Sequence, residues 1–196
     1  MGLCPYTSGA GDLPDTPEPG PPQMTATALR SIEPGDESFL FALYADTRKD
    51  ELDAWGWSAE QREAFLRQQF EAQQRSYAVQ FPDAEHQIIL RDGQPIGRIL
   101  VHRTETEFRL VDISLMASSR GSGIGTRLIR NLLEEALTAA TPVRLHVLTN
   151  NPAARLYHRL GFRVISDDGL YLGMETTARS GNAGSRRPPR CGGGPG

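Results

Sequence analysis

The sequence predicts a mixed α/β domain, a mostly antiparallel twisted sheet with helices on both faces. Three observations predict it. Short apolar runs of strand length alternate with stretches whose apolar residues recur at helical spacing. Two of those runs flank Asp92-Gly93, a hairpin turn signal. A third run, residues 108–117, leads to three glycines in five positions, Gly121, Gly123 and Gly125, and then at once to an apolar-striped helix. The order is β-α-α-β-β-β-α-β-α-β-β, with no internal repeat.

Each element has its own signal. "ALRSIE" (28–33) reads as a first strand. The helix after it takes Asp36 as its N-cap and carries Phe39, Leu40, Leu43 and Tyr44 at helical spacing. The next helix starts at a capping box, Ser58 with Gln61, and lines up Phe65, Leu66, Gln69 and Phe70. "HQIILR" and "IGRILVHR" form the hairpin, and "FRLVDISLMA" the following strand. The helix behind the glycines places Ile124, Leu128, Leu132 and Ala136 four residues apart, on one face. "VRLHVL" is a strand. "NPAARLYHRLG" is a short helix with Asn151 as N-cap, Pro152 at its first position and Gly161 at its end. "FRVI" and "LYLGME" close the sheet.

Length and composition bound the rest. The 196 residues suffice for one domain, assigned to residues 25–178, with spare length at the ends. Residues 1–24 and 179–196 are rich in Pro and Gly and lack periodic apolar residues, so both are read as disordered tails. Met24 opens a cleaner start than Met1 and is read as a candidate initiator. The first tail holds three acids and no bases, and the second holds four Arg and no acids. The domain between them is therefore net acidic, which argues against nucleic acid as the main partner. Lys49 is the single lysine against 20 arginines, a bias that fits a GC-rich bacterial genome. Cys4 and Cys191 both lie in the tails, so the domain has no disulfide framework and no cysteine nucleophile. His86, His102, His146 and His158 show no metal-ligand spacing. With no membrane-length apolar run and no signal-peptide pattern, the expected location is cytoplasmic.

The glycine stretch carries the chemistry. A helix begins with amides that have no internal partner, and its dipole favours negative charge there. Glycine allows close approach and positive φ. A phosphate is the natural guest. The stretch lacks the Lys of a Walker A loop. It has Thr126 where a dinucleotide fingerprint needs a third glycine, and the next strand ends in Thr149 and Asn150, with no acid for a ribose.

Arg120-Gly121-Ser122-Gly123-Ile124-Gly125 matches Q/R-x-x-G-x-G/A, and "NPAARLYHRLGF" (151–162) resembles a second signature that ends in L-Y-x-x-L-G-F. On these two stretches and the strand order, the sequence resembles the GNAT superfamily, the Gcn5-related N-acetyltransferases, over about residues 28–176. The resemblance implies a GNAT-like fold with strands splayed at an acyl-CoA site. It implies acetyl-CoA as co-substrate and no metal. The pyrophosphate would sit on the amides from Arg120 to Thr126, through Gly121, Ser122, Gly123, Ile124 and Gly125. The pantetheine arm would pair with Leu115 and Ala117, with Met116 between them, and Asn151, Ala154 and Tyr157 would complete the cofactor contacts. The Leu115 amide would polarise the thioester carbonyl.

Three places carry two readings each. Tyr157 matches the family's general-acid tyrosine, and it also falls on an inward stripe with Ala153, Leu156 and Leu160, as a core tyrosine would. Asp112, placed by alternation on the face of Leu110 and Ser114, is either an acid that helps deprotonate the amine or a structural carboxylate. Glu105 and Glu107 are expected to be solvated turn residues. In the loop after the first helix, Asp50, Glu51 and Asp53 offer charge to a cationic amine, and Trp55 or Trp57 a face to stack on. The other reading packs the tryptophans on the core. The function implied is acetyl transfer to a primary amine of a small molecule or peptide in a ternary complex, by a monomer or homodimer, with no membrane partner. The alternatives are a non-catalytic acyl-CoA sensor or interaction module on the same fold, and a different acyl donor such as succinyl-CoA.

Overall fold

The computed structural model describes residues 26–53 and 56–176, without the side chains of 50–53. The two tails, with Met24, Cys4 and Cys191, lie outside the described residues, as does Trp55.

Seven strands form one sheet in the order β1-β2-β3-β4-β5-β7-β6. They are β1 (Thr27–Ser31), β2 (Glu85–Arg91), β3 (Gln94–Arg103), β4 (Phe108–Leu115), β5 (Val143–Leu148), β6 (Arg163–Asp167) and β7 (Tyr171–Thr176). Every neighbouring pair is antiparallel except β4 and β5, which are parallel. The helices are α1 (Glu37–Asp53), α2 (Ala59–Gln80), α3 (Ile124–Thr138) and α4 (Ala153–Arg159). The sequence order of elements is the observed one, with two short 3-10 turns added at Pro34–Asp36 and Ala117–Ser119.

Two apolar layers hold the sheet. On one face, Leu40, Tyr44 and Phe70 of α1 and α2 meet Ile88. On the other, Ile124, Leu128, Ile129, Leu132 and Ala136 of α3 pack with Ala154 and Tyr157 of α4 over Ile99, Val101, Leu110, Val143 and Leu145. Each of the large aliphatics in α3 contributes about 1.5–3 kcal/mol by leaving water. The β2–β3 hairpin turns on Asp92 and Gly93, both at positive φ (52° and 79°), as its sequence requires.

Local chemistry departs from expectation at three places. Asp36 does not cap α1. Its carboxylate closes the preceding 3-10 turn by accepting from the Glu33 amide, and it takes both nitrogens of the Arg30 fork at 2.6 and 2.7 Å. The Arg30 bond first, and the Glu33 amide second, hold its carboxyl down at about 2. Glu107 is not a solvated turn residue. It is half-buried and accepts from Arg109 and Arg144. Burial works against its charge, yet those two guanidiniums hold its carboxyl below the ordinary range.

The third departure is in β4. Val101 pairs with Leu110 and Leu100 with Asp112, so Val111 is surplus, a β-bulge. Paired residues share a face, and Leu100 and Val101 point oppositely. Asp112 and Ser114 therefore face α2, whereas Leu110 faces α3. The bulge overturns the placement of Asp112 on the face of Leu110.

Close beside it, Gly97 of β3 pairs with Leu115. A Cβ at Gly97 would lie 2.3 Å from the Ser114 carbonyl oxygen and 2.7 Å from the Leu115 side chain. Backbone cannot yield as a flexible side chain can. Gly97→Ala is expected to destabilise the fold by about 1–3 kcal/mol, as overpacking does. A lowered urea midpoint at unchanged slope is the readout.

Candidate active site

The parallel pair β4–β5 is short. It is registered at Phe108–Val143, Arg109–Arg144 and Leu110–Leu145 and goes no further. Past the bulge, β4 leaves its partner, and a gap opens between Asp112–Leu115 and the end of β5. The Met116 amide donates to the Ile96 carbonyl across β3 at 2.9 Å. Alternation therefore turns the amides of Leu115 and Ala117 the other way, into the gap.

That edge is engaged within the chain. The Ala117 amide donates to Asp46 Oδ2 of α1 at 2.8 Å, and the Arg120 guanidinium donates to the same oxygen at 2.7 Å. Arg120 Nε donates to the Leu115 carbonyl at 2.8 Å. Asp46 had no signal of its own in the sequence, because it lies 71 positions from the amide it reaches.

The glycine turn follows. Gly121 and Gly123 have φ of 73° and 80°, the left-handed conformation that glycine alone enters without strain. Gly123 is the residue before α3 and has no side chain to cap it. The first bond of the helix runs from the Arg127 amide to the Gly123 carbonyl, so the amides of Ile124, Gly125 and Thr126 have no partner within the helix. A Cβ at Gly121 or Gly123 would meet nothing within 4 Å, so these two positions open onto free space. Backbone of this form, with left-handed glycines and three free helix-start amides, is suited to receive an anion. Ser122 adds no open hydroxyl, since its Oγ donates to the Ser119 carbonyl and accepts from Arg91.

Tyr157 arrives from α4. The helix is short and ends at Gly161 (φ 94°), with the Phe162 amide folding back to the Tyr157 carbonyl. The Tyr157 ring sits edge-on to Phe162, with centroids 5.6 Å apart, and the residue is 8% exposed. Its hydroxyl makes no hydrogen bond among the described residues. Burial first, and the charge of Asp112 second, push the phenol up to about 12. It therefore stays protonated throughout the neutral range.

Asp112 lies in an ion pair. It accepts from Arg98 Nε at 2.7 Å and from the Ser114 hydroxyl at 2.9 Å, and Arg98 also donates to Gln73 of α2 at 2.8 Å. Arg98 is 3% exposed, and its guanidinium stacks near the Tyr77 ring. Burial raises the Tyr77 phenol, and burial followed by the Arg98 charge lowers the His86 imidazole. Arg98 Nη1 and His86 Nε2 are buried without a hydrogen-bond partner among the described residues.

The other expected site residues divide. Asn151 uses its side-chain oxygen to accept the Ala153 amide at 2.9 Å, and Ala154 is packed in the core. Trp57 meets Phe65 edge-on, with ring centroids 5.2 Å apart. The side chain of Asp53 and all of Trp55 lie outside the described residues. Among the described residues no group of three or more His, Cys, Asp or Glu could hold a metal ion, and no helix is long and apolar enough to cross a membrane.

A mixed sheet that opens between a parallel pair, with a glycine turn and helix at the end of the opened strand, defines an acyltransferase-type α/β domain. The family described as acetyltransferase (GNAT) family matches residues 40–162, and the chain belongs to that family. Solved structures share the fold. The PaiA N-acetyltransferase of Thermoplasma acidophilum, in complex with coenzyme A, is 20% identical, with 78% of this chain and 99% of that chain covered and a TM-score of 0.60. The histone acetyltransferase HPA2 and related acetyltransferase of Corynebacterium glutamicum is 21% identical, with 79% and 97% covered and a TM-score of 0.56. A Gcn5-related N-acetyltransferase from Rhodopseudomonas palustris is 21% identical over the same shares, with a TM-score of 0.53.

Proposed function

We propose that this protein transfers an acetyl group from acetyl-CoA to a primary amine of a small molecule or peptide, by direct attack within a ternary complex. The observation that carries this reading is the opened β4 edge, with the amides of Leu115 and Ala117 in the gap and a helix start with free amides directly after it.

Each part has a task in the reading. The cradle from Arg120 to Thr126 takes the pyrophosphate. Leu115 and Ala117 pair with the pantetheine arm, which replaces the Asp46 contact at the Ala117 amide. The Leu115 amide donates to the thioester carbonyl oxygen, where negative charge develops as the amine nitrogen attacks the carbon. The carbon–sulfur bond breaks, Tyr157 supplies the proton that the departing sulfur takes, and the proton that the nitrogen sheds on becoming the amide passes through water to restore the phenol. The amine must enter neutral. Asp112, on the strand that borders the gap, stabilises the positive charge that develops on the attacking nitrogen, a field that its pairing with Arg98 partly offsets.

Thermal unfolding with acetyl-CoA tests the reading. At about 100 times its dissociation constant, the ligand adds about 2.7 kcal/mol, a shift of several degrees for a domain of this size. Adenosine, which lacks phosphate, is expected to give no shift. Gly123→Glu is expected to lose the acetyl-CoA shift, because it places a carboxylate in the cradle at a positive-φ position. A shift in the unsubstituted protein, with no free thiol released in an amine screen, would favour the sensor reading. No shift at all would overturn the proposal.

A further inference from the structure

Two arginines converge on the flank of the glycine turn. Arg91 ends β2, and its guanidinium donates to Ser122 Oγ within the turn at 2.9 Å. Arg127 lies in the first turn of α3 and donates to Thr27 Oγ1. Thr27 and Arg91 are cross-strand partners, so the two guanidiniums belong to one patch. Neither has a carboxylate partner among the described residues. The neighbouring acid, Asp92, is turned to the Ala26 amide at 3.1 Å.

This placement is electrostatically unfavourable on its own terms. The first turn of a helix favours negative charge, yet α3 has no acid there and carries Arg127. A second cation is then fastened beside it, in a chain of net charge −3. Arg120, the arginine inside the motif, is committed to Asp46 and the Leu115 carbonyl. Of the three arginines around the turn, the two outside the motif are thus the ones without a carboxylate among the described residues.

We propose that Arg91 and Arg127 form a side-chain grip for a phosphate of the donor's nucleotide end, flanking the backbone cradle on its β1–β2 side. The inference rests on the acyl-CoA reading and adds to it the residues that recognise phosphate charge. An anion between the two guanidiniums removes their repulsion, and each fork offers donors that match phosphate oxygens.

Titration calorimetry on the full chain tests it, with coenzyme A and with dephospho-coenzyme A, which lacks only the 3′-phosphate. Arg91→Ala and Arg127→Ala are each expected to weaken coenzyme A binding about tenfold, the effect of losing one charged hydrogen bond. Their melting temperatures without ligand are expected to be unchanged or higher, since one of two like charges is gone. A merely structural role would lower the melting temperature and leave affinity alone. Arg91→Lys is expected to recover part of the loss. A loss seen with coenzyme A but absent with dephospho-coenzyme A assigns the grip to the 3′-phosphate, and a loss seen with both assigns it to the pyrophosphate. Either supports the proposal. Unchanged affinity in both variants, beside normal binding by the unsubstituted protein, overturns the grip and leaves the acyl-CoA reading standing. No binding by the unsubstituted protein overturns both.

Discussion

Tyr157→Phe is expected to lower kcat by about 10²–10⁴-fold, the usual contribution of a positioned proton donor. Coenzyme A affinity is expected to stay within about twofold of the unsubstituted protein, since the loss of one hydroxyl leaves the anion cradle and the β4 edge intact. The ring is a core group, edge-on to Phe162, and phenylalanine keeps that packing. The folded protein therefore survives the change, and the phenolic proton alone is lost. With the phenol pushed up to about 12, it does not titrate near neutrality. A basic limb in the pH profile of kcat below about pH 10 must then belong to another group. Steady-state kinetics with a screened amine, alongside calorimetry, gives both quantities. An unchanged kcat would remove Tyr157 from the mechanism and leave it as a core residue.

The largest effect on stability is expected at Asp112. Asp112→Ala leaves Arg98, 3% exposed, without its counter-charge, while Arg98 Nη1 already lacks a partner among the described residues. Removing one member of such a pair costs about 3–5 kcal/mol, because the remaining charge stays buried. The double variant Asp112→Leu with Arg98→Met is expected to recover most of that loss. Urea unfolding of Asp112→Leu, Arg98→Met and the double variant closes the cycle. A loss under about 1 kcal/mol for Asp112→Ala would show that water reaches the guanidinium and that the pair is not the buried anchor described above. Activity separates the roles of Asp112. If its charge acts on the incoming amine, the stable double variant is folded and slow.

Local signals wrote the regular elements into the sequence. The stripe Ile124, Leu128, Leu132, Ala136 is buried as its spacing requires, the Ser58–Gln61 capping box forms, and Asp92-Gly93 makes the hairpin. The glycine turn was legible for the same reason, since glycine at positive φ and an uncapped helix start are properties of adjacent residues. What stayed hidden depends on distant partners. Asp46 reaches Ala117 from another helix, and Glu107 is claimed by Arg144 of a neighbouring strand. Arg91 meets Ser122 across 31 positions. The bulge at Val111 is hidden differently. "LVDIS" alternates acceptably with or without a surplus residue, and only the register against β3 shows which strand holds the extra one.

That surplus residue has a consequence for the shape of the whole molecule. A bulge bends its strand and sharpens the local twist, and β4 quits β5 at Leu110, the residue just before Val111. Taking Val111 out would leave every pair with β3 intact, because Val101–Leu110 and Leu100–Asp112 would simply become consecutive. The straightened strand could then keep running beside Val147 and Leu148, and the ladder would zip shut over the place where a ligand has to lie. The cleft is thus an arithmetical object, one residue more on β4 than on β3. Deletion of Val111 is expected to close it without removing any group from the site, with loss of acetyl-CoA binding by a folded protein as the readout.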